Sequence, residues 1–324
     1  MRPMKQTGLA MAAALLIATS AAMALEVDKG LEQYKPQSGV SGSVKAVGSD
    51  TLNNLMTLWA EGFRAMYPAV KVEIEGKGSS TAPPALIQGA AGFGPMSREM
   101  KSDEEAGFER KFGYKPSRAR VAVDALAVFV NKDNPIKCLS LSQVDAIFSK
   151  TRKGGAPKEI TSWGELGLTG EWATKRMSVY GRNSASGTYG YFKEHALFKG
   201  DFKDSVKEQP GSSAVAQAVA ADKGAIGYSG VGYKTADVRI VPLDNGAGEC
   251  VEGNAENAYN GEYPLARFLF IYVNKKPGEK LDPLRGEFIR YIFSRQGQTS
   301  VLKDGYFPIS QAVADQDMKA LGIK

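Results

Sequence analysis

Residues 180–192, Tyr-Gly-Arg-Asn-Ser-Ala-Ser-Gly-Thr-Tyr-Gly-Tyr-Phe, place a guanidinium four residues before a hydroxyl at what reads as a helix start. Arg182 offers a planar fork of N–H donors that matches phosphate or carboxylate oxygens two at a time. Ser184, Ser186 and Thr188 are candidate helix caps, and Gly187 lets a ligand approach the backbone closely. The first N–H groups of a helix have no partner within it and attract oxyanions. The chemistry on offer is anion binding. A capped surface helix with a solvated arginine is the plainer reading of the same residues.

Such a turn needs a strand before it and a helix after it. Val179 and Tyr180 read as the end of a buried strand, and Tyr189, Phe192 and Ala196 recur at helical spacing. Three more turns rich in serine and threonine stand at similar junctions. Ser49, Asp50 and Thr51 follow a strand at Val44, Ala46 and Val47. They precede a helix whose apolar face is Leu52, Leu55, Met56, Trp59, Phe63 and Met66. Ser79, Ser80 and Thr81 follow a strand at 70–74 and enter a helix with Pro83 and Pro84 in its first turn, where proline is tolerated. Ser97 follows a short strand at 90–94, with a capping box expected from Ser102 to Glu105. In open α/β sheets ligands bind beyond the carboxyl ends of strands, where such turns gather. Loops of this kind also carry N-caps for purely structural reasons.

Two buried β-rich runs, 121–130 and 268–273, end in related phrases, Val-Asn-Lys-Asp-Asn-Pro and Val-Asn-Lys-Lys-Pro. They suit two crossings between lobes. The expected organisation is an α/β chain with a first lobe at 25–127, a second at 128–265 and a return to the first at 266–324. A polar leader, 25–42, is expected to lie on the surface or to be mobile.

Before it, residues 1–24 carry Arg2 and Lys5, an apolar run at 9–18 and a closing Ala-Met-Ala. This pattern predicts a secretory signal peptide cleaved after Ala24. No later run approaches the length of a membrane span. The 324-residue chain has a formal charge of +6, and the export segment accounts for two of those positive charges. Basic residues are scattered and do not interleave with aromatics, which argues against nucleic acid as a partner. Cys138 and Cys250, in an exported chain, are expected to form a disulfide, with two free buried thiols as the alternative.

Catalytic chemistry is poorly represented. His195 is the sole histidine in the sequence and reads as a packing residue, since no Gly-x-Ser-x-Gly elbow accompanies it. Two distant cysteines and one histidine do not make a usual zinc site. There is no Walker A sequence and no dinucleotide fingerprint. Neither a cofactor nor a metal is expected, and the chain is read as a non-enzyme.

In order along the chain, Gly48-Ser49-Asp50-Thr51-Leu52, Gly78-Ser79-Ser80-Thr81, Gly94-Pro95-Met96-Ser97-Arg98, Val123-Asp124-Ala125-Leu126-Ala127-Val128 and Gly181-Arg182-Asn183-Ser184-Ala185-Ser186-Gly187-Thr188 resemble the phosphate-binding proteins of ABC phosphate importers. The likeness is greatest to pseudomonad-type members and spans essentially the whole mature chain. It implies a two-lobed periplasmic binding protein of the two-crossover class (type II), with the ligand cleft between the lobes. It also implies that Thr51 gives a hydroxyl, Leu52 a backbone N–H, and Ser79 a hydroxyl. Arg182 would pair with phosphate, and Ser186, Gly187 and Thr188 would donate from the helix start. Ser49, Ser80 and Ser97 fall within the same motifs.

Two departures stand out. Well-known members have Ser-Asp where this chain has Ser97-Arg98, and that aspartate accepts the proton of the bound ion. Asp50 and Asp124 are the candidates to replace it, with Asp124 placed first because a carboxylate in an apolar strand needs a reason. Ser184 stands where some relatives have an aspartate that pairs with the arginine, so Arg182 is expected to be less neutralised.

The resemblance therefore implies high-affinity binding of inorganic phosphate in the periplasm by a monomer that delivers it to the membrane subunits of an ABC permease. The alternatives are a receptor for another tetrahedral oxyanion such as sulfate, a secreted phosphatase, or a secreted structural or adhesion protein.

Overall fold

The computed structural model describes residues 25–323; the expected signal peptide, 1–24, lies outside the described residues. The first lobe opens with β1 (Gly42–Val47), α1 (Asn53–Met66), β2 (Val70–Glu75), α2 (Ala82–Ile87), β3 (Gly94–Met96), α3 (Ser102–Phe112) and β4 (Ser117–Ala125). The chain then passes through Leu126 into a second sheet. There follow β5 (Ala127–Asn131), α4 (Leu141–Phe148), β6 (Ser178–Arg182), α5 (Gly187–His195), β7 (Lys207–Gln209) and α6 (Ser212–Ala221). Strands β8 (Ala225–Ser229), β9 (Val238–Ile240), β10 (Leu243–Asp244) and β11 (Cys250–Val251) and helix α7 (Ala255–Tyr259) complete that excursion. The return is made by β12 (Ala266–Val273), and α8 (Pro283–Ile292), α9 (Arg295–Lys303) and α10 (Gln311–Leu321) close the chain.

Strand order explains the two lobes. One sheet runs β3-β12-β4, with the parallel pair β1-β2 joined to it by a bridge between Ala46 and Phe93. The other runs β7-β6-β8-β5-β9. β4 and β5 are consecutive in sequence yet belong to different sheets, and β12 pairs antiparallel with β4. The residues of β5 and β8 are all buried. A strand covered on both faces has no reason to alternate, which is why these runs read as continuous apolar stretches.

Several local expectations hold. On α1, Leu55, Met56, Trp59 and Phe63 form the buried face. The Phe63 ring packs among Tyr34, Tyr67, Phe288 and Tyr291 at centroid distances of 6.2, 4.7, 5.2 and 5.7 Å. Cys138 and Cys250 are disulfide-bonded across a sequence separation of 112 residues. A loop of that length is worth about 4–5 kcal/mol in the chain-entropy account.

Other expectations are corrected. The run 121–130 is two strands, because the change of sheet breaks it at Leu126. The short strand expected at 90–94 begins at Gly94 instead: the N–H groups of Ala90 and Ala91 turn back onto Ala85 O at 2.9 and 3.2 Å to finish α2. The box expected from Ser102 to Glu105 is displaced by one residue. Glu104 accepts the Lys101 N–H at 2.8 Å, and Lys101 is the cap position. The leader is irregular, but Leu31, Tyr34 and Val40 are buried. Tyr34 Oη is 2.7 Å from Tyr67 Oη and donates to Glu287 at 2.8 Å, which pins the leader to α1 and α8. No helix among the described residues is long and apolar enough to cross a membrane.

Candidate functional site

Four turns converge where the lobes face each other. Backbone bonds tie those of the first lobe together: Ser49 N–H donates to Pro95 O at 2.7 Å and Gly78 N–H to Gly48 O at 2.8 Å. Ser49, Ser79 and Ser97 thereby become neighbours. Ser49 Oγ donates to Ser97 Oγ at 3.0 Å, and Ser97 N–H donates to Ser79 Oγ at 3.0 Å. Thr51 belongs to the helical turn ahead of α1, and Leu52, also buried, caps that helix.

The turn of the second lobe meets this group directly. Ser186 caps α5, its hydroxyl accepting the N–H groups of Thr188 and Tyr189 at 3.1 and 3.3 Å. Thr188 Oγ1 lies 2.8 Å from Thr51 Oγ1, and Ser80 N–H donates to Ala185 O at 3.1 Å. Approach is so close that a Cβ at Gly187 would sit 2.2 Å from Ser79 Oγ and 2.6 Å from Ser97 Oγ. Gly78 has φ of +114°, and a Cβ there would lie 2.5 Å from Ala185 O. Both positions therefore require glycine.

Arg182, at the end of β6, is 2% exposed. Its Nη1 donates to Ser212 Oγ at 2.5 Å, its Nη2 is 3.2 Å from Asp50 Oδ2, and its Nε is buried with no partner. Burial draws the guanidinium below its ordinary range, and the Asp50 charge opposes that. Asp50 Oδ2 also accepts the Ser212 N–H at 2.8 Å.

A second buried cation, Arg267, stands on β12. It donates to Asp124 Oδ2 from Nε at 3.0 Å and from Nη2 at 2.7 Å, to Ser97 O at 2.7 Å and to Thr188 Oγ1 at 2.9 Å. Asp124 Oδ1 accepts the Val231 N–H at 2.9 Å. Asp124 Oδ2 thus takes both Arg267 bonds, while Oδ1 takes the Val231 N–H on one of its two acceptor positions. A carboxylate buried among apolar strands is explained by the guanidinium opposite it.

Of the remaining candidates, Ser184 is exposed and outside the cluster. Arg98 turns away from it: both terminal nitrogens donate to Glu104 at 2.7 Å, and Nη2 reaches Ser80 Oγ at 3.2 Å. The expectation that Arg182 is left poorly neutralised is also corrected, since Asp50 reaches it from the other lobe.

Sequence reasoning passed over Arg267, Ser212, Tyr233 and Tyr306. The last two donate their hydroxyls to Asp50 O and Thr51 O, each at 2.9 Å, and hold that turn from beneath. Arg267 had a legible signal: it is a charge in an apolar run, and it pairs in register with Asp124. The tyrosines had none, because their role depends on distant segments meeting. His195 is exposed and stacks on Tyr191 with ring centroids 4.1 Å apart. No cluster of metal-ligating residues occurs among the described residues. Buried hydroxyls, helix-terminal N–H groups and a guanidinium with an unbonded N–H can replace the hydration shell of a small oxyanion.

Comparison with known proteins follows the same line. The profile of the PBP superfamily domain matches residues 34–296. The chain is 56% identical over 298 residues to the phosphate-binding protein PstS of Pseudomonas aeruginosa, covering 92% of each. It is 28% identical over 312 residues to the phosphate-binding protein PstS of Bacillus subtilis, covering 95% of each. Among solved structures, an ABC transporter substrate-binding protein with bound phosphate from Clostridium perfringens superposes with a TM-score of 0.70 at 27% identity, covering 83% of this chain and 100% of that one.

Proposed function

We propose that this chain, which belongs to the phosphate-binding protein family of the PBP superfamily, binds inorganic phosphate between its lobes and hands it to the membrane subunits of an ABC phosphate importer. One observation carries the reading. Arg182 is buried with its Nε–H unbonded, and its other nitrogens reach Ser212 and Asp50, the neighbour of Thr51 in its turn. A buried donor without a partner costs about 1–3 kcal/mol, more when charged, and an anion oxygen removes that cost.

In this reading Thr51, Ser79, Ser97 and Thr188 give hydroxyls, Leu52 and Gly187 give N–H groups, and Ser186 holds the α5 terminus in place through the Thr188 and Tyr189 N–H groups. Ser49 supports Ser97. The lobes, with boundaries taken at 127/128 and 265/266, close over the ion and exclude water, which strengthens each charge-assisted bond. Arg267 fixes Thr188 and the Ser97 backbone from behind.

Residues 1–24 direct export, the disulfide suits the oxidising periplasm, and the protein works there as a monomer and not as an enzyme. His195 packs against Tyr191, so it is not placed to activate a serine or threonine of the cluster.

Calorimetric titration of ligand-stripped protein with phosphate tests this. Wild type is expected to bind tightly, with a Kd on the order of micromolar or below. Arg182→Ala should weaken binding by about a hundredfold or more, the worth of its charged hydrogen bonds. Absence of phosphate heat in the wild type, or unchanged affinity in Arg182→Ala, would overturn the assignment. Turnover of a chromogenic phosphate ester would favour a hydrolase instead.

A further inference from the structure

The turn at Asp50–Leu52, which carries the Thr51 hydroxyl and the Leu52 N–H, has its carbonyls held by two tyrosines that reach it from different lobes. Tyr306 follows α9 in the first lobe and donates its hydroxyl to Thr51 O at 2.9 Å. Tyr233 stands between β8 and β9 of the five-stranded sheet, in the second lobe. It donates to Asp50 O at 2.9 Å, with Thr51 O at 3.4 Å. A trans peptide points its C=O and N–H in opposite directions. A hydroxyl on Thr51 O therefore aims the Leu52 N–H, and one on Asp50 O fixes the peptide plane from which Thr51 and its side chain hang. Each such bond also polarises the peptide that accepts it, which strengthens the donor at the other end.

The two tyrosines differ in when they can act. Tyr306 and Thr51 belong to one lobe, so their bond does not wait for the other. Tyr233 has to be carried to the turn. Its own segment is shaped to arrive there: Tyr233 N–H donates to Gly230 O at 3.1 Å and Val231 N–H to Asp124 Oδ1 at 2.9 Å. Two glycines let that segment lie against the first lobe. A Cβ on Gly232 would overlap Asp304 O, and one on Gly230 would lie 2.9 Å from Tyr306 Oη and 3.2 Å from Thr51 Cγ2. The segment begins directly after Ser229, which pairs with Ala127 just past the first crossing. Rotation of the second sheet about the crossings therefore moves Tyr233 with it. Burial, with the Asp50 charge adding to it, pushes the Tyr233 phenol above its ordinary range, so the hydroxyl keeps the proton that it donates.

We infer that Tyr233 is a positioning residue that acts as the closing latch of the site: its hydroxyl crosses from the second lobe to Asp50 O once the lobes meet, fixes the turn that carries Thr51 and Leu52, and so slows release of the ligand. This rests on the reading that the site binds phosphate. Tyr233 needs no contact with the ligand to do it. A bond made only in the closed molecule adds to the barrier for opening, and it appears in the dissociation rate rather than in the encounter. Tyr306 is the natural reference, since it makes the same kind of bond to the same turn from within one lobe.

The test compares full-length mature wild type with Tyr233→Phe, Tyr233→Leu and Tyr306→Phe. Equilibrium dialysis against inorganic phosphate gives Kd, rapid filtration of bound radiolabelled phosphate chased with unlabelled phosphate gives koff, and melting by circular dichroism gives the ligand-free midpoint. Tyr233→Phe should raise koff about three- to tenfold, the scale of one buried hydrogen bond. Its association rate, koff divided by Kd, should stay within about twofold of wild type, and its ligand-free midpoint should not move. Tyr306→Phe should lower the ligand-free midpoint, because its bond is present before closure. Tyr233→Leu carries the test if the phenylalanine variant does not fold, and failure of both to fold would show that the bond serves the ligand-free molecule and overturn the inference. So would a folded Tyr233 variant that releases phosphate within about twofold of the wild-type rate, or one whose ligand-free midpoint falls as far as that of Tyr306→Phe. Wild type that binds no phosphate would instead remove the functional reading and this inference with it.

Discussion

Replacing Arg267 by methionine is expected to be among the most damaging single changes in this molecule. Side-chain exposure is 2% for Arg267 and 0% for Asp124. Two of the guanidinium's hydrogen bonds, at 3.0 and 2.7 Å, end on one carboxylate oxygen, and two more hold Ser97 O and Thr188 Oγ1. Arg267→Met leaves Asp124 charged, dry and held by the Val231 N–H alone. Stranding one partner of such a pair costs about 3–5 kcal/mol. For a chain near this length each kcal/mol moves the midpoint by about 2–4 °C, so a loss of about 10 °C follows. Asp124→Asn should cost a similar amount, because it strands the arginine while keeping an acceptor for Val231. The double variant removes both charges, and its loss should be close to that of one single variant rather than to their sum. Thermal melting by circular dichroism on all four proteins reads this directly. Singles that each lose less than about 3 °C, or a double whose loss is additive, would refute the claim that each partner of this buried pair is costly to strand.

Two further outcomes follow from individual sites. Gly187→Ala places a Cβ against the hydroxyls of Ser79 and Ser97, and lobe closure should suffer more than folding. Phosphate affinity measured by calorimetry is expected to fall about a hundredfold while the melting midpoint of the ligand-free protein changes little; equal affinity would show that the lobes need not approach so closely. Asp304 is hydrogen-bonded by Asn54, its Oδ2 is buried without a partner, and burial pushes its carboxyl up to about 6. An acid raised in the folded state binds protons more readily there than in the unfolded chain, whose value is about 3.9. Its contribution to stability is therefore fully present below that lower value and lost as pH rises through about 6. Asp304→Asn should raise the melting midpoint at pH 8 relative to wild type and lose that advantage at pH 4; a constant difference would remove Asp304 from the pH dependence.

Much of this protein was legible in its amino-acid order. The apolar face of α1, the proline-tolerant start of α2 and the Ser186 cap of α5 are local matters, and helical periodicity and N-cap chemistry report them without reference to the rest of the chain. Arg182 with Ser186 to Thr188 was legible for the same reason, since a guanidinium and a helix terminus four residues apart need no distant partner to be neighbours. The two crossings were visible as uniform apolar runs, although the break at Leu126 was not, because a change of sheet leaves the residues on both sides equally buried.

Tertiary structure decided everything that depends on which distant segments meet. Which partners Asp50 and Asp124 take depends on the positions of Ser212, Val231 and Arg267, which lie 162, 107 and 143 residues from them. Arg98 was turned away by Glu104, a residue that sequence alone assigned to no role. Tyr34 pins a leader with no regular structure through Tyr67 and Glu287. Local pattern names the residues able to bind an anion, because propensity and capping act over a few residues. Selectivity is a property of charge pairing in a water-excluded space, and that space exists only once the two lobes have closed around it.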